Sequence, residues 1–326
     1  MERVRSQVLA WVESSALPPA RLHDALCAAG ALPDARDWQR FLERVFLGLG
    51  VAVLAASAVY FIAANWNEFG RYGKFALAEG TVVAAVAVAL WRGLDTRIGA
   101  AGLVAAALFT GVLLALVGQV YQTGADTYGL FAVWAVAIAA WVAAGRSPAL
   151  WLIWIALLNL AVALYYTTFG WLGLLFAPGD WRALCAALFV LNTLALAAWE
   201  FAAVRGIDWL APRWAPRILA AAGGAAISIL AVLSIVETRG SAWAYLVLYA
   251  LWLAGVYGYY RRHRLDLFVL AGAVLSLVVF GAAGLFRLLF RHHGDAGGLL
   301  VIAAFVILAG GAGALWLRKL AVEEAQ

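Results

Sequence analysis

Ten times along the chain a run of about 20 apolar residues is closed off by charge, Gly or Pro, and that pattern leaves few possible folds. Backbone N–H and C=O groups have no water to bond in the hydrocarbon layer, so runs of this length fold as membrane-crossing helices. The spans are expected at about 45–64, 73–91, 98–118, 129–145, 148–167, 183–203, 217–236, 242–260, 266–286 and 298–317. Only Gly145, Arg146, Ser147 and Pro148 divide the fourth from the fifth. Fusing them would make about 38 apolar residues, nearly double what a bilayer needs, so a short turn with Pro opening the next helix is expected.

Composition sets the remaining bounds. Of 326 residues, 66% are apolar and 13% charged, where soluble domains have roughly half and a quarter. A soluble globular enzyme and a nucleic-acid-binding domain are excluded. The expected fold is an all-α polytopic bundle at 45–320, preceded by a cytosolic helical leader at 1–44 and followed by a short tail at 321–326. Any site then lies within the spans or at their mouths.

Charge fixes an expected orientation. With the N-terminus inside, 17 of the 23 Lys and Arg fall on the inner side and 6 on the outer, which places both termini in the cytoplasm and makes the span number even. The net charge of +5 therefore reports topology. No secretory signal is evident, because Glu2, Arg3, Arg5 and Glu13 break up the first apolar stretch. Cys27 and Cys185 fall on opposite sides and cannot pair, and no metal-type cysteine spacing exists. Trp66, Trp91, Trp151, Trp171, Trp181, Trp209, Trp214, Trp243 and Trp316 lie near span ends, where an indole buries its ring and keeps its N–H wet.

The leader reads as three short helices: a stripe of Val4, Val8, Trp11 and Val12; a second with Leu22 and Leu26 after Leu17-Pro18-Pro19; and a third with Trp38, Phe41 and Leu42, capped by Asp34 and running toward the first span. These stripes pack on the bundle or on lipid headgroups, or else dock a protein partner at residues 1–40. Segments 168–181 and 286–293 read as interfacial or partly re-entrant.

Two polar clusters sit on the expected outer side. The first, NWNEFGRYGKFALAEG, runs from Asn65 to Gly80 and holds Asn65, Trp66, Arg71, Lys74 and Glu79. Glu79 stands about 9 Å into the second span, where an ionisable group is expensive and faces protein or water. Its helical neighbours offer no ideal partner, so the partner is expected on another helix. The second cluster, GQVYQTGADTYGLFAVW, runs from Gly118 to Trp134 and has no Lys or Arg. It offers Gln119, Tyr121, Gln122, Thr123, Asp126 and Tyr128, with Gly118, Gly124 and Gly129 permitting tight turns. Glu79 and Gln119 lie at depths that would let them meet. Two readings stay open: a functional outward vestibule, and structural loop closure with interhelical hydrogen bonding.

The pair Asn65-Trp66 with Arg71 and Lys74 downstream, followed by Gly118-Gln119-Val120-Tyr121-Gln122 leading into Asp126 and Leu130-Phe131, resembles a bacterial membrane-protein family, domain of unknown function 2157. The resemblance covers about residues 1–145. It implies a multi-pass protein of the bacterial inner membrane and supplies no catalytic residues.

Other polar groups are scattered. Asn159 and Asn192 fall near the midplane of consecutive spans, as a cross-hairpin amide pair or as solute contacts. Glu200 is expected to snorkel or to pair with Arg205, and Glu237 and Arg239 mark an outer turn. Arg287, Arg291, His292, His293 and Asp295 form the one His-rich stretch. Adjacent histidines on a helix point about 100° apart and no His-Glu-x-x-His spacing exists, so no metal and no cofactor is expected. No phosphate loop, nucleophile elbow or paired-carboxylate arrangement supports a hydrolase. A five-plus-five inverted repeat would set TYGLFAVWAVA (127–137) against RLDLFVLAGAV (264–274). Gly48, Gly50, Gly223, Gly224, Gly310, Gly311 and Gly313 are expected to let helices approach closely.

The sequence therefore favours a non-enzymatic transporter or permease-like protein for a small or amphipathic solute. Its outer mouth would use Glu79 as a titratable or cation-binding group, with Gln119, Gln122, Asp126 and Arg71 as polar contacts. A membrane scaffold or sensor acting through the leader is the competing reading, and an enzyme acting on lipid stands third.

Overall fold

The computed structural model describes residues 2–64, 68, 70–122, 124, 126–168, 181–236, 242–290 and 296–325. These residues are all-helical: α1 (Glu2–Glu13), α2 (Leu22–Ala28), α3 (Ala35–Ala64), α4 (Arg71–Arg92), α5 (Arg97–Tyr121), α6 (Thr127–Ala144), α7 (Pro148–Thr168), α8 (Trp181–Val204), α9 (Trp214–Val236), α10 (Ala242–Arg262), α11 (Leu267–Leu289) and α12 (Ala296–Ala325). Among the described residues, nine helices are long and apolar enough to cross a membrane, namely α3 to α9, α11 and α12. The narrow divider after α6 is a turn, with Arg146 held at φ 40° and Pro148 opening α7.

α10, which carries five Tyr and two Trp, is not among the nine. It nevertheless travels the length of the bundle. Asp266 at the start of α11 meets Arg213 and Arg217 at the start of α9, so those two helices run parallel. Near the end of α10, Tyr260 reaches Glu200 beside Arg213, while Tyr249, halfway along, bonds Ser276 of α11. Its 21 residues span about 31 Å at 1.5 Å each, close to the roughly 30 Å of hydrocarbon in a bilayer.

The tightest pairs are the sequential neighbours α4 with α5, α6 with α7, α8 with α9 and α11 with α12, together with the parallel pair α9 and α11. One core joins α4 to α7 around Leu103, Ile138 and Leu150. Others join α7 to α12 around Leu219 and Leu270, and α8 to α10 around Ile227 and Leu230. Trp151 and Trp154 of α7 border cores on both sides and bridge the halves. Gly102 lies against Ala85 and Ala89, Gly223 against Thr193 and Gly224 against Trp252, so small residues set these approaches.

As expected, Asp34 caps the third leader helix, which runs into the first span as α3: Asp34 Oδ1 accepts from Asp37 N–H at 2.7 Å and Asp37 Oδ2 accepts from Asp34 N–H at 3.2 Å, a reciprocal cap. Several other expectations are corrected. Residues 321–325 continue α12, held by Glu323 on Arg261 at 2.9 Å. Residues 286–289 continue α11, and Phe286 stacks on Phe290. Gly48, Gly50, Gly310 and Gly311 meet nothing within 4 Å, so they create no close approach among the described residues. Trp151 and Trp209 stack on each other at 6.2 Å, with Trp199 edge-on to Trp209, so these two indoles build a core and not an interface belt. Trp91, Trp181, Trp214 and Trp243 are exposed, as anchors would be. In the leader, α1 packs on α2 with Val8 and Leu26 buried, while Trp11 remains exposed. Residues 169–180, Glu237, Arg239, Arg291, His292, His293 and Asp295 lie outside the described residues.

Candidate functional site

The two polar clusters expected on the outer side come together only in part. α5 ends at Tyr121, Gln122 turns left-handed at φ 45°, and α6 starts after Asp126. Between the ends of these helices lies an open cavity of about 720 Å³ lined by Gln119, Gln122, Thr127, Leu114, Leu130 and Val133. Its polar lining is amide and hydroxyl, without a charge. One turn deeper, the Trp134 indole lies across Gly111, stacks on Phe131 and donates to the Ala107 carbonyl at 2.8 Å. The cavity thus opens toward the helix ends and meets a packed aromatic layer beneath.

Arg71 borders this region from α4. Its guanidinium donates to the Tyr121 hydroxyl at 3.1 Å and sits 4.8 Å from that ring's centroid, while Phe75 packs on the same ring. Asp126 is exposed and its carboxylate makes no cap bond. Glu79 does not join them. Lys74, Ala78, Ala85 and Ala89 mark the buried side of α4, and Glu79 lies about 100° round from Ala78. It is exposed, does not line the cavity that holds Gln119, and has no hydrogen-bond or ion-pair partner among the described residues. The expected meeting of Glu79 with Gln119 is not found, because helical phase turns Glu79 away from the buried side of α4. Asn65, Trp66 and Thr123 lie outside the described residues.

At mid-depth, Asn192 donates to Asn159 Oδ1 at 2.6 Å and Asn159 donates back at 3.3 Å. Each amide also donates to the carbonyl one turn earlier, Ile155 and Leu188, both at 2.8 Å. With both amides bonded to each other and to their own helices, the pair ties α7 to α8, a bond of about 0.6–2 kcal/mol in a bundle.

The densest polar assembly is at the opposite end and was not anticipated. Glu200, near the end of α8, accepts both oxygens' worth of bonds from Arg213 at 2.8 and 3.1 Å, and accepts from Tyr260 at 3.0 Å and Arg264 at 3.3 Å. Arg213 turns its other edge to Asp266, at 3.2 and 3.0 Å. Asp266 also takes Arg217 Nε at 3.1 Å and caps α11 by accepting from Phe268 N–H at 3.1 Å. The expected Glu200–Arg205 pair is absent: Arg205 lies over the Phe201 ring instead, 4.1 Å from its centroid. Arg213 precedes α9 and bridges two nearly enclosed carboxylates. Burial works against its charge, but Glu200 and then Asp266 outweigh that, and its pKa stands above the usual arginine value. Deprotonation of Arg213, and the loss of the stability its charge carries, would therefore require a pH above that value. Every carboxylate oxygen faces a cation, so neither acid is free to act as a base. The assembly is a clasp joining α8, α9, α10 and α11.

Residues 9–151 match the model of a family described as predicted membrane protein, DUF2157. The resemblance carried by the two motifs is borne out over that stretch, which includes both polar clusters. No curated protein and no solved structure matches the chain. The chain is a multi-pass membrane protein.

Proposed function

We propose that this protein is a permease-like transporter that receives a small or amphipathic solute in the cavity between α5 and α6, on the outer side of a bacterial inner membrane with both termini in the cytoplasm. One observation carries the reading: a space of about 720 Å³ lined by Gln119, Gln122 and Thr127, large enough for a small solute, lies above a layer sealed by Trp134 on Gly111. A cavity open on one side and shut on the other is the arrangement alternating access requires. The uncharged amides favour a neutral or zwitterionic polar group, with Leu114, Leu130 and Val133 for an apolar part. Glu79 lies off this cavity and makes no solute contact in this reading.

The test is a panel of small polar and amphipathic solutes added to the purified protein. A bound solute raises Tm. The rise is expected to vanish in Gln119→Leu and Gln122→Leu and to persist in Glu79→Gln. A panel with no stabilising solute, or a rise indifferent to both glutamines, contradicts the proposal.

A second reading, a scaffold or sensor working through residues 1–40, is favoured by one observation. Trp11, Trp38 and Phe41 are exposed while the leader buries Val8 and Leu26 on itself.

A further inference from the structure

A second cavity lies in the other half of the chain and touches none of the residues of the outer one. It is a cleft of about 500 Å³ between α9 and α11, floored by Gly224, Ser228, Ser276 and Trp252 and walled by exposed Phe268 and Leu275. The floor is deep because Gly224 lets Trp252 approach to 3.1 Å of where a Cβ would stand, and Gly272 on the wall meets nothing within 4 Å among the described residues. Ser228 and Ser276 bond each other at 2.6 Å, and Tyr249 bonds Ser276 at 2.7 Å, so the polar atoms in the floor satisfy one another. What remains facing outward is apolar.

The length of the cleft is informative. Along α11 it runs from Phe268 to Val279, about 16 Å at 1.5 Å per residue. That is close to half of the roughly 30 Å hydrocarbon thickness, or one leaflet. It begins at the end of the bundle where the clasp sits and stops near mid-depth, where a fatty-acyl chain anchored in that leaflet would also stop.

The clasp supplies the headgroup end. Three guanidinium groups, Arg213, Arg217 and Arg264, face two carboxylates, Glu200 and Asp266, leaving one positive charge uncompensated. The excess is presented outward by Arg217, whose side chain is 43% exposed. Only its Nε is engaged, and its two terminal nitrogens carry no bond among the described residues. Its guanidinium carbon stands 5.8 Å from the centre of the Phe268 ring, which is the first wall of the cleft. A cation at the mouth of a leaflet-deep apolar cleft complements a phosphate joined to an acyl chain.

We propose that the α9–α11 cleft binds one acyl chain of an anionic phospholipid from the leaflet at the clasp end, with the lipid phosphate held by the free edge of Arg217. Arg217 holds Asp266 through Nε and the phosphate through its terminal nitrogens, so lipid and clasp are read by one side chain. The site does not depend on the solute reading of the outer cavity.

The experiment is native mass spectrometry of the full chain in mild detergent. Phosphatidylglycerol and phosphatidylcholine with identical acyl chains are added in turn, and bound lipid is counted. Phosphatidylglycerol is expected to occupy the protein at lower concentration than phosphatidylcholine. Arg217→Ala weakens its occupancy about tenfold, the order for one charge-assisted contact, and brings the two lipids level. Because Arg217→Ala also frees one side of Asp266, Gly272→Leu is the companion variant. Gly272 has open space around it, so the added side chain fills the cleft without disturbing the clasp, and occupancy by phosphatidylglycerol falls. Equal binding of the two lipids to the unaltered chain overturns the proposal. So does preference that survives both variants, or a dimer that Gly272→Leu dissolves with lipid occupancy unchanged, which would make a second copy the occupant.

Discussion

Asp266→Ala is expected to unfold the second half of the bundle far more readily than any loss of a surface charge. The Asp266 side chain is 1% exposed, accepts from Arg213 and Arg217, and caps α11 through the Phe268 N–H. Removing it leaves two guanidinium groups facing each other without their shared counter-ion and opens the helix start. Breaking a buried pair in this way costs about 3–5 kcal/mol, and the lost cap adds about 1. Asp266→Asn keeps an oxygen for the cap and loses only the charge, so it should fall between. The check is the unfolding free energy of the purified chain in mixed micelles. A change below about 1 kcal/mol for Asp266→Ala would mean the network behaves as a solvated surface cluster.

Gly111→Ala has the next largest expected effect and acts on the first half. A methyl group there would overlap the Trp134 ring, which lies flat over the glycine and is fixed by its bond to the Ala107 carbonyl. Overpacking of this kind costs about 1–3 kcal/mol. Displacing the indole also breaks the layer beneath the α5–α6 cavity, so near-ultraviolet circular dichroism should weaken along with Tm. Trp134→Leu in the same chain makes room for the methyl, and the double variant should lose less than the two single losses together. Strict additivity would show that the two residues do not touch.

The helices were legible because each apolar run states its own length, and the α6–α7 turn was legible from three residues and a proline. The extension of α3 was legible from Asp34 as a cap ahead of Trp38, Phe41 and Leu42, whereas that of α12 was not, because hydropathy marks only the lipid-immersed part while Arg261–Glu323 continues the helix beyond it. The Asn159–Asn192 pair could be read from matching depth on adjacent spans. The clasp could not: Arg213 and Asp266 are 53 positions apart, and in the sequence Arg213, Arg217 and Arg264 look like any other positive charges at span ends. The one local signal was Glu200 inside an apolar run, and it was paired with the wrong arginine because Arg205 is nearer in sequence. Depth alone also misled at Glu79. Depth sets how far into the membrane a residue lies, whereas the phase of α4, marked by Ala78, Ala85 and Ala89, sets where it points.

The proposal that the cavity between α5 and α6 faces outward and holds water is tested most directly by single-cysteine accessibility in intact cells, with Cys27→Ser and Cys185→Ala as background and a membrane-impermeant maleimide outside. Gln119→Cys should react without permeabilisation, while Arg262→Cys, at the clasp end, should react only after it. Silence at Gln119→Cys while Asp126→Cys reacts, or labelling of Arg262→Cys from outside, would contradict the account.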